Sequence, residues 1–294
     1  MAEAAYVSLA ATAFRAALAA GDHMIRRYRT ELVVETKSSL ADVVTDVDRA
    51  CEEAIRRTLA DAFPHHRILG EEGVRPGREA AVEALADCLD CSDLWIVDPL
   101  DGTTNFVHQL PLSVVSIAYA SAGEVRFGVV LDPYRGEWFY AVSGQGAYSA
   151  GDHDIRAWLA APSADWPGKP IRVSGVRELR RAVMATGLPV RHRDRQNVMR
   201  RAADVIAEVK SLRTLGAAAL HLAYVAAGRI DVFWEFDLNA WDIAAGALLV
   251  REAGGVIQSM EGHPYSLCVR DVCAGSDGEM LRALGARLVA GESP

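Results

Sequence analysis

The chain has 294 residues, 51% of them hydrophobic and 24% charged, with a net charge of −8. This is the make-up of a globular protein with room for one large or two closely packed domains, and the acidic balance argues against a nucleic-acid backbone as the main partner. No apolar run approaches the ~18–20 residues of a membrane span, the first twenty residues carry Arg15 and lack the pattern of a signal peptide, and five cysteines without framework spacing point to a reducing cytoplasm.

Residues 4–28 place Val7, Ala11, Phe14, Leu18 and Met24 at helical spacing and predict a long helix. A short strand at 33–36 then runs into the polar stretch Lys37-Ser38-Ser39. Thr45 or Asp46 caps a helix reaching about Phe63, with Val47, Cys51, Ile55 and Leu59 turned inward. Asp48 falls in its first turn, off that stripe, where a carboxylate suits the helix dipole. Ile68-Leu69 lead into Gly70-Glu71-Glu72-Gly73, two acids in a glycine-bracketed turn. Residues 74–93 read as a surface insertion with a helical middle at 79–89. Cys88 and Cys91 form a C-x-x-C, and Cys268 and Cys273 a looser pair. Together they would suit zinc only if the fold brought them side by side.

Residues 94–97 are a buried strand, expected to stop at Asp98 because Pro99 cannot donate to a ladder. Stretches 113–120 and 125–131 pair around Gly123, and 137–142 and 147–148 add further strands. Residues 150–169, with Pro162 and Pro167, predict an irregular insertion, and 171–174 a strand returning to the first sheet. From about Arg177 the order changes. Strands are expected at 182–186, 212–215, 230–234 and 256–259, and helices at 194–210, 217–227, 242–253 and 278–288. The run Arg191-His192-Arg193-Asp194-Arg195 suggests a solvated loop, with a second anion contact as the sharper alternative. The expected fold class is α+β: an antiparallel sheet with helices makes up an N-terminal domain (1–176), and a mostly parallel α/β domain (177–294) follows.

The chemistry gathers in Asp98-Pro99-Leu100-Asp101-Gly102-Thr103-Thr104. Two carboxylates at a strand end, beside a glycine and hydroxyl groups, make sense together if a hard cation lies between them and a phosphate. A cation also reconciles an acidic protein with an anionic substrate. Asp48, Glu71 and Trp241-Asp242 offer further acids from three other segments.

This ordered set resembles the inositol monophosphatase family of metal-dependent phosphatases. The likeness begins near Lys37-Ser38-Ser39, Asp42, Thr45 and Asp48. It runs through Gly70-Glu71-Glu72 and the Asp98–Thr103 stretch. It ends with Gly216-Ala217-Ala218-Ala219, Glu235, Trp241-Asp242 and Glu252-Ala253-Gly254-Gly255. The resemblance implies a layered αβαβα sandwich in which the 1–176 domain binds metal and phosphate and the 177–294 domain completes the site, with two or three Mg²⁺ ions held by Glu71, Asp98, the Leu100 carbonyl, Asp101 and Asp242. It implies that Thr103, oriented by Asp48, and Glu71 position or deprotonate the attacking water, with no phospho-enzyme. It implies substrate contacts from Lys37, Asp101, Gly102, Thr103, Ala218, Glu235 and Asp242. Thr104, where bisphosphate nucleotidases tend to carry Lys, favours inositol monophosphate or a similar small polyol phosphate. Fructose-1,6-bisphosphatase, histidinol-phosphatase or nucleotide phosphatase activity is the alternative. A regulatory binding protein with a vestigial site is the reading from another class. A homodimer and lithium sensitivity are further family expectations. Ala217, where many relatives carry Ser or Thr, and His221, where bacterial relatives often have Asp, depart from the pattern. His221, inside an apolar helix, reads as a packed side chain.

Overall fold

The computed structural model describes residues 3–37, 43–188 and 192–289. In chain order the elements are α1 (Glu3–Arg27), β1 (Val34–Thr36), β2 (Val43–Thr45), α2 (Asp46–Ala62), β3 (Arg67–Gly70), α3 (Arg78–Ala86), β4 (Leu94–Asp101), α4 (Thr103–Val107), β5 (Val114–Ser121), β6 (Glu124–Asp132), β7 (Glu137–Val142), β8 (Gly146–Gly151), α5 (Asp152–Ala160) and β9 (Lys169–Pro170). There follow β10 (Val183–Thr186), α6 (His192–Glu208), β11 (Ser211–Arg213), α7 (Ala218–Ala226), β12 (Val232–Glu235), α8 (Ala240–Glu252), β13 (Val256–Ser259), β14 (Val272–Gly275) and α9 (Gly278–Val289).

Five layers result. A seven-stranded sheet runs β3-β4-β5-β6-β7-β8-β9, antiparallel except for β3 beside β4. Trp95, Val97, Val115, Ile117, Phe127, Val129, Trp138 and Tyr140 project from one face onto α1 and α2. Alternate residues such as Leu94, Ile96, Ala118, Val130 and Phe139 project from the other onto α7 and α8. Period-two alternation thus sends apolar groups both ways, which is why these strands read as continuous apolar runs. The second sheet runs β11-β10-β12-β14-β13. It is parallel across β11, β10 and β12 and antiparallel at β14 and β13. Ala185, Phe233 and Ala274 face α7 and α8. Met184, Trp234 and Cys273 face α6 and α9. Helices α7 and α8 are therefore covered on two sides, as an all-round apolar helix must be.

By length and composition α1 could cross a membrane, but Leu9, Phe14, Ala17 and Met24 of its inner face are spent on the first sheet. Close approach matters at Gly128, where an added Cβ would lie 2.9 Å from the backbone of Ala245 in α8.

Several sequence expectations are corrected. The β4 ladder does not end at Asp98. It resumes at Asp101 after a register shift, and Pro99 lies inside that shift, where no ladder N–H is needed. Asp48 is not off the inner face of α2 but 1% exposed. The insertion at 150–169 contains α5, whose Ile155 and Trp158 pack into the core beneath α1. The returning strand is β9, two residues earlier than expected, although Ile171 N still donates to the Ala147 carbonyl at 2.9 Å. Strand β14 was missed because Val272-Cys273-Ala274-Gly275, buried throughout, carries no alternation and is completed by its neighbours β12 and β13. Cys88 and Cys273 belong to different apolar clusters, so the two cysteine pairs do not form one zinc site. Ser38, Ser39, Asp42 and Arg191 lie outside the described residues, as do the side chains at 192–195.

Candidate active site

Helix α2 begins with Thr45, whose Oγ1 accepts from Val47 N at 3.1 Å, while Asp48 Oδ2 accepts from Thr45 N at 2.9 Å. This reciprocal cap fixes the Asp48 carboxylate at the helix start. Its second oxygen is then presented to the next segment, where Thr103 Oγ1 donates to Asp48 Oδ1 at 2.9 Å. Thr103 Oγ1 also lies 3.2 Å from the Leu100 carbonyl. Burial pushes the Asp48 carboxyl up to about 6, against the lowering effect of the Thr45 and Thr103 hydrogen bonds.

The register shift in β4 lies between Asp98 and Asp101, which stay paired with Ser116 and Val114, and it takes Pro99 and Leu100 out of the ladder. Asp98 Oδ1 accepts from Leu100 N at 3.0 Å. Asp101 Oδ2 accepts from Ala219 N at 2.7 Å, so it sits against the first N–H groups of α7, where the helix dipole favours an anion. Gly102 follows at φ +94°. A Cβ there would lie 3.1–3.2 Å from the Leu112 and Gly216 carbonyls and the Ala217 side chain, so only glycine fits both the backbone and the space.

Asp242 stands in the first turn of α8, its Oδ2 accepting from Asn239 N at 2.6 Å. Glu71 opens the turn after β3, and its Oε1 accepts from Lys37 Nζ at 2.9 Å. Lys37 also donates to Glu72 Oε1 at 2.7 Å. Burial would lower the Lys37 pKa, but Glu71 and Glu72 outweigh it and raise it. Glu235, at the end of β12, faces the same region, where burial and then the charges of Asp101 and Asp242 raise its pKa.

The structure therefore brings the expected residues to one place. Burial raises the pKa of Asp98, and the charges of Glu71, Asp101 and Asp242 raise it further. Asp242 is raised by burial and then by Glu71 and Asp101, and Asp101 is pushed up to about 7, chiefly by burial. Among the described residues no three acidic, His or Cys groups already form a closed chelate. The donor set nonetheless fits a hard divalent cation. Every group offers oxygen, and positive charge among them offsets the burial of Asp98, Asp101 and Asp242 as anions and then their mutual repulsion.

Three residues with structural roles had no role in the sequence reading. Buried Asn105 donates from Nδ2 to the Leu215 carbonyl at 2.7 Å and the Leu112 carbonyl at 3.1 Å, tying the Gly102–Thr103 turn to the loop that enters α7. Its place in the run Asp101-Gly102-Thr103-Thr104-Asn105 was the available signal. Glu52 accepts from Glu72 N at 2.7 Å and holds the turn that carries Glu71. Gly187 donates its N–H to the Glu235 carboxylate, and a Cβ there would lie 1.9 Å from Glu235 Oε1.

His221 is fully buried in α7. Its Nε2 accepts from Leu215 N at 2.9 Å and its ring packs on Phe233, the packed role expected of it.

Residues 6–291 match the family model described as the inositol monophosphatase family. The chain belongs to the inositol monophosphatase family. Among the family's curated proteins, "Nus factor SuhB" of Pseudomonas aeruginosa is 40% identical over 268 residues, covering 90% of each chain. Among solved structures, the extragenic suppressor protein suhB of Bartonella henselae aligns with a TM-score of 0.78 at 36% identity, covering 94% of this chain and 96% of that one. An IMPase of Thermotoga maritima aligns with a TM-score of 0.77 at 30% identity, with the same coverage. The family fold is thus the five-layered α+β arrangement seen here.

Proposed function

We propose that the chain is a Mg²⁺-dependent phosphomonoesterase acting on inositol monophosphate or a similar small polyol phosphate. The observation that carries this reading is the Thr103–Asp48 hydrogen bond beside the turn that bears Asp98, Leu100 and Asp101. It puts an oriented hydroxyl next to a concentration of carboxylates. Glu71, Asp98, Asp101, Asp242 and the Leu100 carbonyl are assigned as the Mg²⁺ ligands. Bound there, Mg²⁺ would polarise the phosphate ester and acidify a water molecule.

The chain's own groups then have distinct tasks. Thr103 Oγ1 donates its hydrogen bond to Asp48, so its lone pairs are available to accept a hydrogen bond from the attacking water. Glu71 takes that water's proton. The N–H groups of Gly102 and Thr103 hold phosphate oxygens. Asp101, Ala218 and Glu235 are assigned to the polyol side, where carboxylates accept from hydroxyls directly. Lys37 adds a positive charge at Glu71 and Asp242 lines the substrate side.

A phosphate-release panel with and without Mg²⁺ tests this reading. Release from inositol monophosphate that EDTA abolishes is expected. Release unaffected by EDTA, or absent for every small phosphate, overturns it. The name of the curated relatives, "Nus factor SuhB", favours a second reading in which binding to a partner is the main role. Asp98→Asn separates the two, because it removes catalysis without altering the molecular surface.

A further inference from the structure

Helix α8 alone does not place Asp242. The Asp242 carboxylate is held by the N–H of Asn239, the residue that opens the helix, at 2.6 Å. The position of Asn239 therefore decides where that oxygen sits. Asn239 closes a tight loop in which Asp237 adopts φ +61°, an uncommon backbone for a residue with a side chain.

Arg270, just before β14, grips this loop. Nη1 donates to Asn239 Oδ1 at 2.5 Å, and Nη2 donates to Asp237 Oδ1 at 2.8 Å and lies 3.3 Å from the Asp237 carbonyl. The grip is returned by the backbone. Leu238 N donates to the Arg270 carbonyl at 3.0 Å, and Asp237 N donates to Asp271 Oδ1 at 2.7 Å. The Arg270 side chain is 13% exposed, so water competes little for these bonds. A planar guanidinium can hold acceptors on two residues in one fixed geometry, which an ammonium cannot.

We infer that Arg270 is a positioning residue for Asp242. It fixes Asn239, and through the Asn239 N–H the carboxylate, and so sets how tightly the site takes a divalent cation. The inference rests on the metal-dependent reading above.

The test is Mg²⁺ binding to the full chain by calorimetry at constant ionic strength, with far-UV circular dichroism and thermal unfolding run in parallel. Partners that orient a metal ligand are commonly worth roughly 10–100-fold in affinity. Arg270→Met and Asn239→Ala are each expected to weaken Mg²⁺ binding by about tenfold, with Arg270→Lys between them and wild type. At saturating Mg²⁺, KM for the phosphate ester is expected to stay at the wild-type value. A lower Tm with an unchanged Mg²⁺ dissociation constant in the variants makes the role merely structural and overturns the inference. If Arg270→Met does not fold, Asn239→Ala decides alone. Wild-type protein that binds no Mg²⁺ overturns the metal-dependent reading and this inference together. Wild-type binding matched by the variants overturns this inference only.

Discussion

Asp98 is 1% exposed and shares its surroundings with the charges of Glu71, Asp101 and Asp242. Replacing it with asparagine removes a repelled charge while keeping shape and most hydrogen-bonding capacity. Asp98→Asn should therefore keep or raise Tm, while phosphate release falls on the order of 10³-fold, the equivalent of several kcal/mol of transition-state stabilisation. Wild-type turnover in this variant would remove Asp98 from the metal site.

His221 carries a different titration. Burial holds its pKa down from 6.5 to about 3, so the unfolded chain takes up a proton first. Stability from this group is complete above about pH 6.5 and declines as pH falls toward 3, by at most about 1.4 kcal/mol per unit. Urea unfolding at pH 7 and pH 5 should show a smaller loss for His221→Gln than for wild type. Equal losses would mean that the imidazole does not titrate on unfolding. The acidic residues were legible in the chain as an ordered set of motifs that resembles the family, each of them weak alone. The inward turn of Asp48 was not, since the apolar stripe of α2 carries no sign of a hydrogen bond to Thr103, fifty-five residues away.

The turn after β3 is built on an absent side chain. A Cβ at Gly70 would meet the Glu52 carboxylate at 2.7 Å, and that carboxylate holds Glu72 N. Gly70→Ala should push Glu52 away from the turn and cost ~1–3 kcal/mol of stability. It should also raise the Mg²⁺ concentration needed for half-maximal activity, because Glu71 moves with the turn. An unchanged Mg²⁺ requirement would show that Glu71 is placed without Glu52. Most helices and strands were readable from their spacing, within a few residues of their ends. The elements that escaped were those whose pairing is supplied from far away. Strand β14 exists because β12 and β13 flank it. Strand β4 continues past Pro99 because Val114 meets Asp101 beyond the shift.

Across the molecule, the site draws on segments from both sheets and from the helix layer between them. Asp101 reaches the start of α7, Asp242 opens α8 and Glu71 follows β3. A cation bound among them links these layers in the folded state only. Mg²⁺ should then raise Tm with the logarithm of its concentration above the dissociation constant, by the equivalent of about 2.7 kcal/mol at a hundred times that constant, and EDTA should reverse the gain. A melting curve indifferent to Mg²⁺ at matched ionic strength would contradict a shared cation site.

Periodicity was enough to mark most helices and strands, because it is local in the chain, and the ordered set of motifs carried the resemblance that implied the family, the layered class and the set of acids. The meeting of those acids is not local. It depends on the β4 register shift between Asp98 and Asp101, on Asn105 bridging to the loop before α7, and on Arg270 holding the entry to α8. Each of these joins residues distant in sequence, so only the packing of the whole chain determines where the charges point.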